Sequence, residues 1–247
     1  MKIKILQWNV LRKENPDHIV QLIKENNPDI ITAQELIENS EKSIDTAKYI
    51  ANKLGYNYFY KEGDTWSPAK NNKTSQNNAI FSRFLIEKNT FSYLTPPHHN
   101  PPDANYEGRV YVEISIKINN KLLSIGTTHL SFSPRFVITE KRKKEVDKLV
   151  AVIKSKKSNF VFTGDLNSSP YSYTIEQIQK YLIHAGPDYR QPTWTTKPFD
   201  YHGQFKEDKL CWRLDYIFIT KDIKIINSQI IKTDYSDHLP VLLTINL

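Results

Sequence analysis

The chain has almost no cysteine. Cys211 stands alone among 247 residues, so no intrachain disulfide can form and no thiolate cluster can hold a metal. A reducing compartment is the expectation. Long apolar runs are missing too: nothing approaches the roughly 20 consecutive apolar residues of a membrane-crossing helix, and no transmembrane segment is expected. The first residues, Met1-Lys2-Ile3-Lys4-Ile5-Leu6-Gln7-Trp8, lack an apolar stretch ending in a small-residue cleavage site. That absence points to a cytoplasmic protein. No internal repeat is present, and no low-complexity tract beyond a general richness in Lys and Asn. No Pro/Ser/Gly linker divides the sequence, so residues 1–247 read as one domain.

What is present has globular proportions, with 39% hydrophobic and 25% charged residues. The net charge of +7 favours polyanionic partners such as nucleic acid or a phospholipid surface. The run Lys141-Arg142-Lys143-Lys144 falls in a helix predicted over 134–154, with Ile138, Val146, Leu149, Val150 and Ile153 as its buried stripe. The run reads as a solvated helix face in preference to a phosphate-tracking patch.

Hydrophobic periodicity supplies the elements. Residues 3–8, 29–34, 56–60 and 78–82 read as strands, and 16–25 and 40–54 as helices. Val110, Val112, Ile114, Ile116 and Ile118 alternate with other residues, which marks a half-buried strand. Asn119-Asn120 then turns the chain back into 122–129 as a hairpin. Residues 160–163, 215–220, 223–231 and 241–245 complete the set. Hairpins mixed with helices argue against an all-parallel sheet. The predicted fold class is α/β: a four-layer α/β/β/α sandwich, with two mixed, mostly antiparallel sheets packed face to face and helices outside.

Polar residues gather at the ends of these strands. Asn9 follows the first, Glu35 the second and His129 ends the hairpin's return strand. Asp165 and Asn167 follow the apolar run Asn159-Phe160-Val161-Phe162-Thr163. Asn78 and Asp215 begin strands, and Asp237-His238 precedes the last. Taken singly, most of these have an ordinary structural reading. Asn9 suits a turn, Glu35 a helix cap, His129 a core histidine bonded to a carbonyl, Asp215 a pair with Arg213, and Asp237-His238 a plain turn. If they converge on one rim of a sandwich, they assemble carboxylates, imidazoles and amides without thiol. Such a donor set suits Mg²⁺, Ca²⁺ or Mn²⁺.

The ordered set Leu6-Gln7-Trp8-Asn9-Val10, Ala33-Gln34-Glu35, Asn78-Ala79-Ile80-Phe81-Ser82-Arg83, Thr128-His129-Leu130, Gly164-Asp165-Leu166-Asn167, Arg213-Leu214-Asp215-Tyr216-Ile217 and Ser236-Asp237-His238-Leu239-Pro240 resembles the endonuclease/exonuclease/phosphatase superfamily of metal-dependent phosphoesterases. The resemblance runs from the first strand to the last. It implies Glu35 as principal metal ligand with Asn9 and Asp237 as further contacts. It implies Asp165 as the group that orients or deprotonates the attacking water, and Asn167 as a donor to a phosphate oxygen. His238 is similar to the family's phosphate-binding or proton-transferring histidine, Asp215 to the carboxylate that holds it, and His129 to the second histidine of the deoxyribonuclease, sphingomyelinase and tyrosyl-DNA phosphodiesterase branches. The implied cofactor is Mg²⁺, with Mn²⁺ as a substitute.

For the substrate, the segment 181–212 carries Tyr189, Trp194, Phe199, Tyr201, His202, Phe205 and Trp212. These aromatics either stack on bases or pin down a long loop; both readings stand. Asn78, Trp194 and Trp212 are taken as substrate-binding candidates. Trp212-Arg213-Leu214-Asp215-Tyr216 is similar to the abasic-site endonuclease branch, from which Thr128-His129-Leu130 departs. With Thr193-Trp194, that segment is closer to the tyrosyl-DNA phosphodiesterase branch. The expected activity is Mg²⁺-dependent hydrolysis of nucleic-acid phosphodiesters, with DNA ends or adducts as the favoured substrate and no protein partner implied. A lipid or inositol-phosphate phosphoesterase of the same fold and a non-catalytic binding module are the alternatives.

Overall fold

Inward-facing side chains along the strands change character from one end to the other, and that gradient organises the fold. The computed structural model describes residues 1–39, 44–69, 72–103 and 106–247. The elements run β1 (Lys2–Asn9), α1 (Pro16–Asn26), β2 (Ile30–Asn39), β3 (Ile44–Asp45), α2 (Thr46–Leu54), β4 (Asn57–Ala69), β5 (Asn72–Ser82), β6 (Ile86–Thr95), β7 (Arg109–Ile118) and β8 (Lys121–His129). They continue with α3 (Glu140–Ile153), β9 (Phe160–Asp165), α4 (Tyr173–Gln179), β10 (Ile183–His184), β11 (Phe199–Tyr201), β12 (Phe205–Glu207), β13 (Asp215–Ile219), β14 (Lys224–Ile230) and β15 (Val241–Asn246).

Among the described residues, one sheet has the order β14-β15-β1-β2-β5-β4, with β3 added beside β2. The other has the order β10-β13-β9-β8-β7-β6. The pairs β1–β2 and β8–β9 are parallel, and the other ladders of the two sheets are antiparallel. β11 and β12 form a separate small hairpin. Ile3, Ile5, Ile30, Val112, Ile114, Ile125, Val161, Ile217 and Leu243 pack between the sheets. Leu6, Trp8, Ile31 and Phe81 point the other way and pack under α1 and α2. Phe160, Phe162, Tyr216 and Phe218 do the same under α3 and α4. The layering is therefore α/β/β/α, as the pattern of elements predicts.

Strand alternation generates the gradient. On β1 the inward positions are Ile3, Ile5, Gln7 and Asn9; on β2 they are Ile30, Thr32 and Gln34. On β8 they are Leu123, Ile125, Thr127 and His129; on β9 Val161, Thr163 and Asp165; on β13, read backwards, Ile219, Ile217 and Asp215. Every one of these strands is apolar at one end and polar at the same rim. A polar layer crosses the gap just below that rim. Gln7 Nε2 donates to Gln34 Oε1 at 2.8 Å, Gln34 Nε2 to Thr127 Oγ1 at 2.9 Å, and Thr163 Oγ1 to Thr32 Oγ1 at 2.8 Å.

Several boundaries differ from expectation. The helix predicted over 40–54 starts at Thr46, because Asp45 caps it by accepting from Lys48 N at 2.9 Å; residues 40–43 lie outside the described residues. The helix predicted from 134 starts at Glu140 behind the Thr139 cap. Arg135 and Phe136 ahead of it have positive φ, which breaks the helical path. Ile138 is consequently exposed rather than buried, and Val150 is only half-buried. Arg142 is fully buried, which corrects the reading of its whole run as solvated. β4 and β5 extend past the predicted 56–60 and 78–82 into a long polar arm, where ladder hydrogen bonds rather than an apolar stripe hold the strands.

Candidate active site

Register puts the site together in the second sheet. His129 on β8 pairs with Asp165 on β9, and Asp165 pairs with Asp215 on β13. Three inward-facing polar groups on neighbouring strands therefore lie in one row, about 5 Å apart by strand spacing alone. The first sheet contributes Asn9 from the end of β1. It contributes Glu35 through an irregularity: the β2–β5 register shifts between Ala33 and Leu36, and Glu35 has φ +62°. A bulge of this kind re-aims one side chain, here a half-buried carboxylate into the cleft. Asp45, not Glu35, caps the following helix.

Asp165 is the centre of the contacts. Its Oδ1 accepts from Asn167 N at 3.0 Å and its Oδ2 from Asn9 Nδ2 at 3.0 Å. The Nε2 atoms of His129 and His238 lie 3.4 and 3.5 Å from the same Oδ2. Asn9 Nδ2 also donates to Glu35 Oε1 at 3.1 Å, so one amide ties the two carboxylates together. His238 Nδ1 donates to Asp215 Oδ2 at 2.8 Å, and Asp215 Oδ1 accepts from Gln7 Nε2 at 3.1 Å. The main chain of His238 is fixed as well: its carbonyl accepts from Trp8 Nε1 at 3.0 Å and its N–H donates to Ser236 Oγ at 3.1 Å. Arg213 reaches the backbone oxygen of Asp215 at 2.8 Å. The alternative of a carboxylate–guanidinium pair between these two is not what forms.

Burial and charge set the protonation. Burial pushes the Asp165 carboxyl up to about 7; the His238 charge opposes this and the Asp215 charge adds to it. Burial alone would lower His238, but the charges of Asp215, Asp165 and Asp237 overcome it and raise its pKa well above the ordinary value. His238 is thus a cation held among carboxylates. His129 goes the other way: burial, then the Arg109 and His238 charges, hold it well below its ordinary value. A neutral His129 fits its contact with Asn167 Nδ2 at 3.0 Å, which makes Nε2 the acceptor.

These groups open onto a cleft of about 480 Å³ lined by Glu35, His129, Asp165, Asn167, Asp237 and His238. Arg12, Lys13, Arg109 and Lys197 add positive charge to its walls, and Phe132, Phe136, Trp194, Phe199 and Tyr201 form an aromatic side. Asp237 is at the cleft edge, where its Oδ2 accepts from Trp194 Nε1 at 3.0 Å. Two candidates are placed elsewhere. Trp212 packs on Phe136 with ring centroids 4.8 Å apart and donates to Glu207 at 2.8 Å. Asn78 donates to Val110 O at 2.8 Å beside a small cavity of about 20 Å³ that His129 also lines.

The sequence assigns no role to Gln7, Gln34 and Ser236, which stand inside the quoted motifs, and does not single out Arg109, Phe132 and Phe136. For the glutamines a signal exists: they occupy core-facing positions that period two reserves for apolar residues. Arg142 was also missed. It donates to Asn167 O and Ser131 O, and to Ser133 Oγ at 3.0 Å, so it braces the loops on both sides of the cleft from behind.

The donor chemistry fits a hard divalent cation. Asp165, Asp215 and His238 offer ligand atoms within 4.8 Å of one another. Asp215 is already engaged on both oxygens by Gln7 and His238, and His238 Nε2 stands 3.5 Å from Asp165 Oδ2, so the trio is linked by one hydrogen bond and one ion pair. Glu35 also accepts on both oxygens, from Asn9 Nδ2 at 3.1 Å and Arg12 N at 3.3 Å, but it is half-buried and lines the cleft, which makes it the more accessible oxygen donor. Cys211, the single thiol, is exposed and does not line the cleft.

The family model described as "Endonuclease/Exonuclease/phosphatase family" matches residues 6–238. No curated protein matches by sequence. Among solved structures, the endonuclease/exonuclease/phosphatase from Beutenbergia cavernae is similar with a TM-score of 0.72 at 17% identity, covering 100% of this chain and 72% of that one. The human Nocturnin catalytic domain with bound sulfate gives 0.72 at 19% identity, covering 99% and 93%. D. rerio TDP2 complexed with a single strand DNA product gives 0.71 at 18% identity, covering 100% and 99%.

Proposed function

Because the chain belongs to the endonuclease/exonuclease/phosphatase family, whose members hydrolyse phosphoester bonds, we propose that it is a Mg²⁺-dependent phosphodiesterase acting on nucleic acid, with residues 1–247 working as one domain. The observation that carries the proposal is the Asp165 carboxylate, gripped by Asn9 and Asn167 and faced by two imidazole Nε2 atoms within 3.5 Å. The basic and aromatic cleft walls suit a phosphate backbone and a stacked base.

The residues divide the work by charge state. His238, cationic and held through Nδ1 by Asp215, presents Nε2–H to a nonbridging phosphoryl oxygen. Asp165 in its ionised form takes a proton from the attacking water. The water oxygen bonds to phosphorus in line as the bond to the leaving oxygen breaks. Both amide hydrogens of Asn167 are engaged, on His129 Nε2 and on Leu130 O at 2.9 Å, so Asn167 positions Asp165 and His129 rather than gripping phosphate. Glu35 and Asn9 would hold the divalent cation, Mg²⁺ or Mn²⁺ in its place, which adds positive charge against the phosphoryl oxygens. Asp237 at the edge and Trp194 beside it shape the entry.

An activity panel tests this with Mg²⁺, Mn²⁺ or EDTA on single- and double-stranded DNA, an abasic duplex, a 5′-phosphotyrosyl oligonucleotide, RNA, sphingomyelin and inositol phosphates. Turnover of a nucleic-acid substrate that EDTA abolishes is expected. Turnover of only the last two would assign the lipid or inositol-phosphate alternative. Asp165→Asn should lower kcat by about 10²–10⁴-fold with an unchanged circular-dichroism spectrum. An undiminished rate would remove its assigned role.

A further inference from the structure

Behind the catalytic rim, a groove of about 370 Å³ runs between α3 and the residues that follow β6. Its charged lining is all of one sign among the described residues, Lys141, Lys144 and Lys148; the ring of His98 also lines it. The three lysines stand at i, i+3 and i+7, one face of a helix, and extend over about 10 Å at 1.5 Å per residue. Lys143 lies off that face and pairs with Glu140 at 2.7 Å. Lys148 Nζ donates to Leu94 O at 2.8 Å and Lys141 Nζ to Glu107 O at 2.7 Å. The Leu94 carbonyl aims the Lys148 ammonium without neutralising it, Lys141 is half-buried with the Glu145, Glu107 and Asp64 charges acting on it, and no carboxylate lines the groove among the described residues. Tyr106 adds an independent feature, a ring left 54% exposed at the groove.

The groove joins the cleft through one residue. The Glu107 carbonyl meets Lys141, while its carboxylate pairs with Arg109 at 2.7 Å, and Glu107 and Arg109 both line the catalytic cleft. We propose that the groove carries the continuation of a single-stranded nucleic acid whose scissile phosphate lies in the cleft, with the α3 lysines on its backbone phosphates and Tyr106 stacked on a base. The proposal rests on the phosphodiesterase reading and names the form of its substrate: a strand that extends beyond the cleaved bond. The groove is a strip of point charges with an aromatic ring, which matches a flexible polyanion bearing π-faces.

Binding of a labelled 20-nucleotide single strand, followed by fluorescence anisotropy from 50 to 300 mM salt, tests it. The measurement uses the Asp165→Asn background, which keeps the probe intact. The variants are Lys141→Gln/Lys144→Gln/Lys148→Gln and an equal-charge control, Lys24→Gln/Lys121→Gln/Lys224→Gln. Each phosphate contact contributes about −0.7 to the slope of log affinity against log salt. The groove variant is therefore expected to lose about 2 from that slope and the control far less. Tyr106→Ala should weaken binding about 5-fold or more without changing the slope. Equal slopes in the groove variant and the control would overturn the proposal. So would loss of binding to phosphatidylserine vesicles with oligonucleotide binding intact, because that result marks a membrane-facing surface. Wild-type cleavage of the same strand is scored separately. A lowered slope without cleavage would overturn the phosphodiesterase reading and keep the groove as a nucleic-acid site; cleavage with an unaltered slope would do the reverse.

Discussion

Arg142 shows how one buried charge can organise a rim it never reaches. It is fully buried in α3. Its guanidinium donates to the carbonyls of Asn167 and Ser131 and to the hydroxyls of Ser168 and Ser133. Burial lowers its pKa to about 10, with the Glu145 charge opposing that shift, so it stays cationic at neutral pH. Glu145 in turn accepts from Ser131 N at 3.0 Å and Thr95 Oγ1 at 2.8 Å. Removing one member of such a buried set leaves its partners unsatisfied at a cost of about 3–5 kcal/mol. Arg142→Met should therefore lower Tm by roughly 10 °C. Lys143→Met, the next residue along the chain but on the surface, should change stability by no more than ~0.5 kcal/mol; equal losses in the two variants would deny Arg142 its bracing role. His184 offers a pH-dependent counterpart. Burial, with the Arg213 charge adding, pulls its pKa down to about 3. Between pH 6.5 and 3 the unfolded chain binds a proton at His184 that the folded chain refuses. Stability contributed by the neutral ring is thus complete above pH 6.5 and is lost as pH falls through that window, by ~3–5 kcal/mol. Urea unfolding of His184→Gln at pH 7 and pH 4 should show a smaller drop than the wild type.

At the scale of elements, stability and chemistry sit at opposite ends of the same strands. The β7–β8 hairpin turns at Asn119-Asn120, both with positive φ, the geometry of a type I′ turn that Asn tolerates and Ala resists. β8 runs from that turn to His129 at its far end. Replacing both asparagines with Ala should cost about 1–3 kcal/mol in chemical denaturation while leaving kcat within two-fold, since the site lies at the other end of the strand. Legibility in the sequence follows the same division. Alternation at Val110, Val112, Ile114, Ile116 and Ile118 is directly readable because all five point into one inter-sheet core, but the strand is buried on both faces rather than half-buried, since Tyr111, Glu113 and Ser115 opposite are covered as well. The row His129, Asp165 and Asp215 is readable as three strand ends, but their meeting depends on register, which only pairing decides. Glu35 depends on a bulge, and a bulge leaves no trace in periodicity. Arg142 looks solvated because its partners are mostly backbone carbonyls and hydroxyls from other loops, and a charge run carries no mark of them. The outer half of the β4–β5 arm carries no alternating apolar stripe, Trp66 being its one large apolar residue, so hydrophobic pattern ends where the strands do not.

Across the whole molecule, the apolar half of the sandwich supports a rim where buried carboxylates crowd together. Asp165 and Asp215 are 1% and 0% exposed, and Glu35 shares the Asn9 amide with Asp165. The His238 cation relieves part of that repulsion, and raised protonation of Asp165 relieves more. A divalent cation bound at Glu35 and Asn9 would relieve the remainder, and any ligand that binds only the folded state stabilises it by mass action. At ten times its dissociation constant the gain is ~1.4 kcal/mol, or about 3–5 °C in Tm for a chain of this size. Calorimetry in excess Mg²⁺ against EDTA should show that rise. Glu35→Gln should erase most of it and, by removing a negative charge from the rim, should make the metal-free protein equally or more stable than the wild type, as expected where function is maintained at the expense of stability. A rise of the same size in Glu35→Gln would place the cation elsewhere, on the Asp165, Asp215 and His238 trio, and the separation of roles between the two sheets would have to be redrawn.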